Sequence, residues 1–176
     1  QQEGFEADDL IASYVRASRD QNHQVVIVSS DKDLMQLVGE GVSMRDPLKE
    51  GLIGEKEVRK KFGVGPEQVV DLQALAGDST DNVPGVPGIG IKTAAELLLK
   101  YGDLKTLLKS TGEIKQPKRR QNLIDYADLA LISQRLVRLR DDIPLKGGID
   151  AIRVKNIDTN ELFPWLKEME FGNLLK

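Results

Sequence analysis

The chain has 176 residues, 40% of them hydrophobic and 30% charged, with no cysteine and a net charge of −3. That length suits one domain with a sizeable core. The absence of cysteine excludes a disulfide framework, a zinc-thiolate site and a cysteine nucleophile, and no stretch reads as a signal peptide or an apolar membrane span. The charge is unevenly spread: residues 1–84 hold nine Lys/Arg against sixteen Asp/Glu, residues 85–140 eleven against five, and residues 141–176 five against seven. An acidic part beside a basic part is expected where metal ions sit next to a polyanion.

Residues 7–20 read as a helix, with Leu10, Ile11, Tyr14 and Val15 at helical spacing and Asp8 and Asp9 in the first turn, where acids suit the dipole. His23 falls in the polar turn that follows and reads as a surface residue. The run Val25-Val26-Ile27-Val28 predicts a parallel strand buried on both faces. A second helix is expected over 34–38 and a second strand over 41–45, an alternation that implies an α/β core. From Glu55 the chain turns helical. Residues 55–62 form one helix, and Pro66 starts another with Val69, Leu72 and Leu75 as its apolar face. A helix over 93–101 closes on Gly102, and Asp103 caps one through Leu108. One long helix is expected over 117–138, with Leu123, Ala127, Leu131 and Val137 inward. A late strand is expected over 150–154, then a short helix after Asp158 that Pro164 must start or kink.

Three acidic groups stand out: Glu6, Asp8 and Asp9 at a helix start; Asp31 and Asp33 just past the carboxyl end of a strand, where open α/β sheets bind ligands; and Asp78 and Asp81, three apart. Singly, each admits a capping role. Together, seven carboxylates in a chain with one histidine favour oxygen-ligated Mg²⁺ or Mn²⁺ over zinc. Two such ions about 4 Å apart activate a water and stabilise a leaving oxygen in phosphodiester hydrolysis.

Gly85-Val86-Pro87-Gly88-Ile89-Gly90-Ile91-Lys92-Thr93 superficially resembles a P-loop, but Ile91 separates Gly90 from Lys92 and a polar run precedes it instead of a buried strand. A helix–hairpin–helix fits better. Its backbone N–H groups grip a DNA phosphate without reading sequence, Lys92 adds charge, and Ile89 and Ile91 anchor the turn in the core. Lys115, Lys118, Arg119 and Arg120 form a basic knot that suits either a phosphate contact or a solvated helix end.

Gly4-Phe5-Glu6-Ala7-Asp8-Asp9, Ser29-Ser30-Asp31-Lys32-Asp33-Leu34 and Gly77-Asp78-Ser79-Thr80-Asp81-Asn82-Val83-Pro84-Gly85-Val86 resemble, in that order, the 5′-nuclease domain of bacterial DNA polymerase I, a relative of the flap endonucleases. The closing Met169-Glu170-Phe171-Gly172-Asn173-Leu174-Leu175 resembles that domain's end, and the likeness is weakest over 141–165. The resemblance implies a PIN-like parallel-sheet core followed by a mostly helical region with the helix–hairpin–helix. It implies removal of RNA primers and displaced 5′ flaps near junctions of single and double strands. Positions matching Glu6, Asp8 and Asp9 serve a first metal site in the family, and those matching Asp31, Asp33, Asp78 and Asp81 a second. The hairpin residues Gly85, Val86, Gly88, Ile89, Gly90, Lys92 and Thr93 match the element that holds the duplex, which in some relatives also holds K⁺. The Ser79-Thr80 pair differs slightly from the family's usual serines, and both remain small hydroxyl residues.

The family's domain begins upstream of this chain's first residue, with a strand bearing an aspartate ligand, a second aspartate and a basic arch. The chain is therefore expected to be the C-terminal part of the domain, with N-terminal strands missing, the second metal site complete, the first lacking two aspartates, and little or no cleavage by itself. Three regions are expected: 1–54 as α/β nuclease core with the acidic site, 55–140 as the helical region with the hairpin, and 141–176 as the closing segment. DNA, a polymerase domain in the same parent chain, a monomeric state and the bacterial cytoplasm at the nucleoid follow from the resemblance. The alternative is a non-catalytic DNA-binding module that keeps the hairpin. A nuclease unconnected to a polymerase is a third reading, and a nucleotide hydrolase a distant fourth.

Overall fold

Helix α1 (Ala7–Asp20) has the bounds its periodicity predicts and turns Ala12 and Val15 into the core. Near its end, Arg19 donates to the carbonyls of Leu37 (2.7 Å) and Gly39 (3.1 Å), tying the helix to the segment that joins the strands. Strand β1 (Val25–Val28) pairs in parallel with β2 (Val42–Arg45), Val25 opposite Val42 and Val28 opposite Arg45. The computed structural model describes residues 2–154 and 156–175, which divide into two units, one through Leu145 and one from Lys146 onward.

Two expectations for this part need correction. The second helix is only a 3-10 turn, Asp33–Leu37, which Val38 leaves in extended backbone. Strand β1 is not covered on both faces. Ile27 is buried, but Val26 and Val28 are 52% and 66% exposed. Successive strand residues point to opposite faces, and only one face of this two-stranded sheet carries a packed layer. The remaining edge of β2 takes an antiparallel bridge, with Met44 and Ile53 exchanging N–H···O bonds of 2.9 and 2.7 Å.

Helix α2 (Glu55–Phe62) ends at Gly63 in left-handed backbone, φ +79°. Pro66 opens a 3-10 turn, Pro66–Gln68, that continues into α3 (Val69–Ala76). Then come α4 (Ile91–Tyr101), α5 (Leu104–Lys109), α6 (Pro117–Asp125) and α7 (Ala127–Val137). The α5 cap is as expected: the Asp103 carboxylate accepts the Thr106 N–H at 2.7 Å. Helix α3 packs against both α4 and α7, so Val69 through Leu75 are all buried, not one face of them. A surrounded helix must satisfy its polar side chains. Asp71 accepts the Leu104 N–H (2.9 Å) and the Gln134 amide (2.5 Å), linking α3 to α5 and α7.

The long helix expected over 117–138 is two, broken at Tyr126 (φ −110°, ψ 19°). Leu123, Ala130, Ser133 and Val137 are buried, while Ala127 and Leu131 are half-buried. After α7 the chain returns to α1: the Arg140 N–H donates to Asp9 Oδ1 (2.8 Å) and the Ile143 N–H to Ser13 Oγ (3.1 Å).

The second unit contains a 3-10 turn, Ile149–Ala151, then α8 (Thr159–Glu168) and a last 3-10 turn, Gly172–Leu175. No strand forms among the described residues of 150–154, and Ile152 and Val154 are exposed. The apolar alternation there finds no partner edge. Asp158 caps α8 by accepting the Asn160 N–H (2.9 Å), and Pro164 lies inside the helix. Among the described residues no helix is long and apolar enough to cross a membrane.

Candidate metal centre and phosphate clasp

Asp31 sits just past the carboxyl end of β1 and has a local structural role. Its N–H donates to Ser29 Oγ (3.0 Å), and its Oδ1 accepts the Asp33 N–H (2.9 Å), an Asx-type turn that starts the 3-10 turn. Asp33 then points toward α3, where Gln73 Nε2 donates to its Oδ1. Asp78 follows α3. Paired N–H···O bonds between Asp78 and Val83 (2.8 and 2.7 Å) close residues 79–82 into a loop, with Asn82 at φ +56°. The buried Asp78 carboxylate accepts the Thr80 N–H (3.0 Å), and Asp81 rides exposed on the loop. Asp33, Asp78 and Asp81 each bring one carboxylate oxygen within 4.8 Å of the others. Two segments 45 residues apart in sequence thus meet at one point.

The electrostatics follow from that crowding. Burial pushes the Asp33 carboxyl above its ordinary pKa; the Gln73 hydrogen bond opposes this, and the charges of Asp31, Asp81 and Asp78 add to it. Asp8 is raised by burial first, then by Asp31, Asp33, Glu6 and Asp9, so the first turn of α1 lies in the same negative field. Lys32 answers the field. Its Nζ lies 2.5 Å from Asp78 Oδ2, a hydrogen bond that raises the lysine pKa. Burial alone would raise Asp78, but the Lys32 and Thr80 hydrogen bonds outweigh it and hold the carboxyl below the usual range. A cleft of about 240 Å³ adjoins the site, lined among others by Lys32, Phe62, Gln73, Asp78, Thr80 and Ile91.

Glu6, Asp8, Asp9 and Asp31 make no further three-donor group among the described residues. Glu6 is the exposed residue preceding α1, and Asp9 is engaged by the Arg140 backbone. Two residues at the centre escape a reading of acidic motifs. Lys32 lies hidden between two aspartates. Gln73 sits in a helix whose only other polar residue is Asp71, Val-Val-Asp-Leu-Gln-Ala-Leu-Ala, where a buried amide is itself a signal.

The clasp joins α3 to α4. Gly85 is left-handed (φ +64°), and a Cβ there would stand 2.4 Å from the Gly77 nitrogen, so only glycine lets the strands of the turn approach. The Val86 N–H donates to Leu75 O (2.8 Å), the Val86 and Ile89 side chains are buried, and Asn122 Nδ2 of α6 donates to Pro87 O (2.7 Å). Gly88 is also left-handed (φ +77°). The exposed Gly90 precedes α4 in extended backbone, Lys92 is exposed and Thr93 half-buried. Ile91 is not an anchor: α4 begins there, two residues early, and leaves its side chain 49% exposed. Helix α3, not a strand, precedes the turn, which disposes of the P-loop. The first turn of α4 turns unpaired N–H groups outward, a geometry suited to an anion. In the basic knot, Arg120 Nε donates to Ile114 O (3.0 Å) and is thereby a loop brace, whereas Lys115 and Lys118 are exposed.

Comparison with known proteins shows the chain's family and fold. Residues 1–63 match the family described as 5′-3′ exonuclease, N-terminal resolvase-like domain, and residues 64–160 the 5′-3′ exonuclease, C-terminal SAM fold. The chain belongs to the 5′-3′ exonuclease family. It is 53% identical over 174 residues to DNA polymerase I of Rhizobium leguminosarum, covering 99% of this chain and 17% of that protein. It is 38% identical to the 5′-3′ exonuclease of Aquifex aeolicus, covering 98% of this chain and 58% of that one. The chain thus spans about a sixth and somewhat over half of these two relatives' lengths. The bacteriophage T5 flap endonuclease, solved as a pseudo-enzyme-product complex with DNA and metal ions, superposes with a TM-score of 0.72 at 27% identity, over 79% of this chain and 52% of that one. The catalytic core of Rad2 with a DNA substrate shares the fold, with a TM-score of 0.60 at 16% identity, over 94% of this chain and 57% of that one. This chain's architecture is mixed α/β, a small parallel sheet followed by a mostly helical region, and it shares its fold with these solved structures.

Proposed function

We propose that this chain is the part of a 5′-3′ exonuclease and structure-specific 5′-flap endonuclease that carries one divalent-metal pocket and the duplex clasp, in a parent protein that also holds a DNA polymerase. The observation that carries this reading is the convergence of Asp33, Asp78 and Asp81 beside a hairpin that opens into α4. The donor set fits Mg²⁺ or Mn²⁺, since it consists of carboxylates alone, and the pocket already accepts a cation, the Lys32 ammonium. Asp33, Asp78 and Asp81 hold the ion in this reading, with Asp31 at the rim, and Glu6, Asp8 and Asp9 serve a first ion nearby. When bound, such ions supply Lewis-acid stabilisation of the leaving oxygen and a more acidic water. The names of the curated relatives support the polymerase parent, and the T5 complex with DNA and metal ions supports the substrate class.

The chain's own residues do the positioning. Gln73 orients Asp33, and Thr80 orients Asp78. Gly85, Val86, Gly88, Ile89, Gly90, Lys92 and Thr93 hold one strand's phosphate through backbone N–H groups and one charge, with K⁺ as a further occupant of the hairpin. The substrates are 5′-flap or nicked duplexes and RNA primer–DNA junctions, met by a monomer at the nucleoid in the bacterial cytoplasm. Residues 1–54 act as nuclease core, 55–140 as clasp region and 141–176 as closing segment.

One observation favours a second reading, a non-catalytic DNA-binding module: only one three-carboxylate group exists among the described residues. Little or no cleavage by this chain alone is expected. The test is cleavage of a 5′-labelled flap duplex in Mg²⁺ and in Mn²⁺, with an Asp31→Asn, Asp78→Asn double variant as control. Cleavage that the double variant loses supports the nuclease reading. Salt-sensitive binding in Ca²⁺ without cleavage supports the second, and no binding under either condition removes both.

A further inference from the structure

The carboxylate pocket contains one cation of its own. Lys32 Nζ is paired with Asp78 Oδ2, and Asp78 is the most buried of the three carboxylates. The lysine side chain is 35% exposed, so it enters the pocket from the rim. Its backbone is the residue that precedes the 3-10 turn, so its side chain can change direction while the turn stays in place. Three clustered carboxylates repel one another and resist burial unless a positive group sits among them.

We propose that Lys32 is a tethered counter-cation: it neutralises the Asp33–Asp78–Asp81 pocket until a divalent ion enters, then leaves Asp78 and turns outward to a DNA phosphate. This rests on the reading of that pocket as a divalent-metal site. The exchange follows from the donor atoms. An ion drawing on Asp78 needs the oxygen face that Lys32 now occupies, and two cations cannot share it at contact distance. The displaced ammonium stays at the mouth of the 240 Å³ cleft, which Thr80 and Ile91 also line. Ile91 opens α4, so that mouth adjoins the clasp where a phosphodiester would lie. One carboxylate contact is thereby traded for one phosphate contact. Lys61 feels the charges of Asp31 and Asp33 but makes no ion pair among the described residues, and it serves as the control for charge alone.

The experiment measures Mn²⁺ binding by calorimetry and melting in EDTA, for wild type, Lys32→Met, Lys32→Arg and Lys61→Met. Lys32→Met is expected to bind Mn²⁺ about tenfold more tightly than wild type, because no resident cation competes. It is expected to melt lower in EDTA and to recover in saturating Mn²⁺, while Lys32→Arg melts as wild type and Lys61→Met binds Mn²⁺ as wild type. For flap duplex binding in Ca²⁺, the salt dependence of Lys32→Met is expected to be shallower by about one counterion, with no difference in EDTA. If Lys32→Met is too unstable in EDTA, its recovery by Mn²⁺ and the behaviour of Lys32→Arg give the same answer. Unchanged or weaker Mn²⁺ binding by Lys32→Met overturns the proposal. If wild type binds no Mn²⁺ and Asp78→Asn changes nothing, it is the metal-site reading that fails.

Discussion

Gln73 donates its side-chain amide to Asp33 while the other end of the same amide, Oε1, is buried with no partner among the described residues. The amide therefore costs stability on one side and orients a carboxylate on the other, a trade that makes sense if the orientation of Asp33 is what matters. Groups behind metal ligands fix their geometry, and losing one weakens affinity tenfold or more, to order of magnitude. Gln73→Leu keeps the volume and removes both polar atoms. Mn²⁺ affinity measured by calorimetry is expected to fall by about tenfold, while the melting temperature in EDTA stays level or rises, because an orphaned acceptor is gone. This is the opposite sign to Lys32→Met, so the two variants together separate orientation from competition. A parallel fall in stability would mean that the amide is only structural.

The residues show what a sequence alone can and cannot display. Helices α1 and α2 were legible to their ends because periodicity and terminal chemistry agree there: acids in the first turn of each, and Gly63 after the second. The break at Tyr126 was not, because no Pro or Gly marks it. Nor was the failure of residues 150–154 to form a strand, since alternation has no effect without a neighbouring edge. At the site, the spacing of Asp78 and Asp81 was legible, but their meeting with Asp33 depends on a bridge between Asp78 and Val83 that no local pattern announces. Lys32 and Gln73 were hidden because a lysine among aspartates and one amide in a mostly apolar helix acquire meaning only from what they touch.

Asp71 is the buried joint of the helical region, since its carboxylate satisfies both the Leu104 N–H and the Gln134 amide. Truncation leaves two donors unpaired out of water, each costing about 1–3 kcal/mol. Asp71→Ala is thus expected to destabilise by about 3 kcal/mol in urea unfolding, and Asp71→Asn by less, because an amide oxygen still accepts one of the two. Near-equal effects of the two substitutions would show that charge, not hydrogen-bond satisfaction, holds the joint.

Two glycines of the clasp separate crowding from backbone strain. A Cβ on Gly85 meets the Gly77 nitrogen at 2.4 Å, backbone against backbone, and cannot be absorbed by a side-chain movement. At Gly88 the nearest atom is Asn122 Nδ2 at 3.5 Å, so only the left-handed φ resists a side chain. Gly88→Ala is expected to cost about 1–2 kcal/mol. Gly85→Ala is expected to cost about 3 kcal/mol or more, with a matching loss of duplex affinity by fluorescence anisotropy, because the α3–α4 connection itself must shift. Equal losses would mean that the two turns are less tightly packed than these distances require.

Asp103 offers a pH test away from the metal pocket. The Thr106 N–H, followed by the Thr106 hydroxyl, holds its carboxyl below the ordinary value of 3.8. With the folded pKa depressed, the unfolded chain takes up the proton first as pH falls. The ionised cap's contribution is therefore complete well above 3.8 and disappears as pH drops through the lower, folded value. Asp103→Ala is expected to cost about 1 kcal/mol at neutral pH. That gap should be constant from about pH 7 to 5 and narrow below 3.8, vanishing as pH falls through the lower, folded value at which the wild-type carboxyl takes up its proton. Asp103→Asn, which caps through an uncharged oxygen, should hold its advantage over Asp103→Ala throughout the acid range. Urea unfolding of the three proteins between about pH 3 and 7 reads this directly. A wild-type gap that persists undiminished at the acid end would place the capping energy in the oxygen's geometry, not its charge.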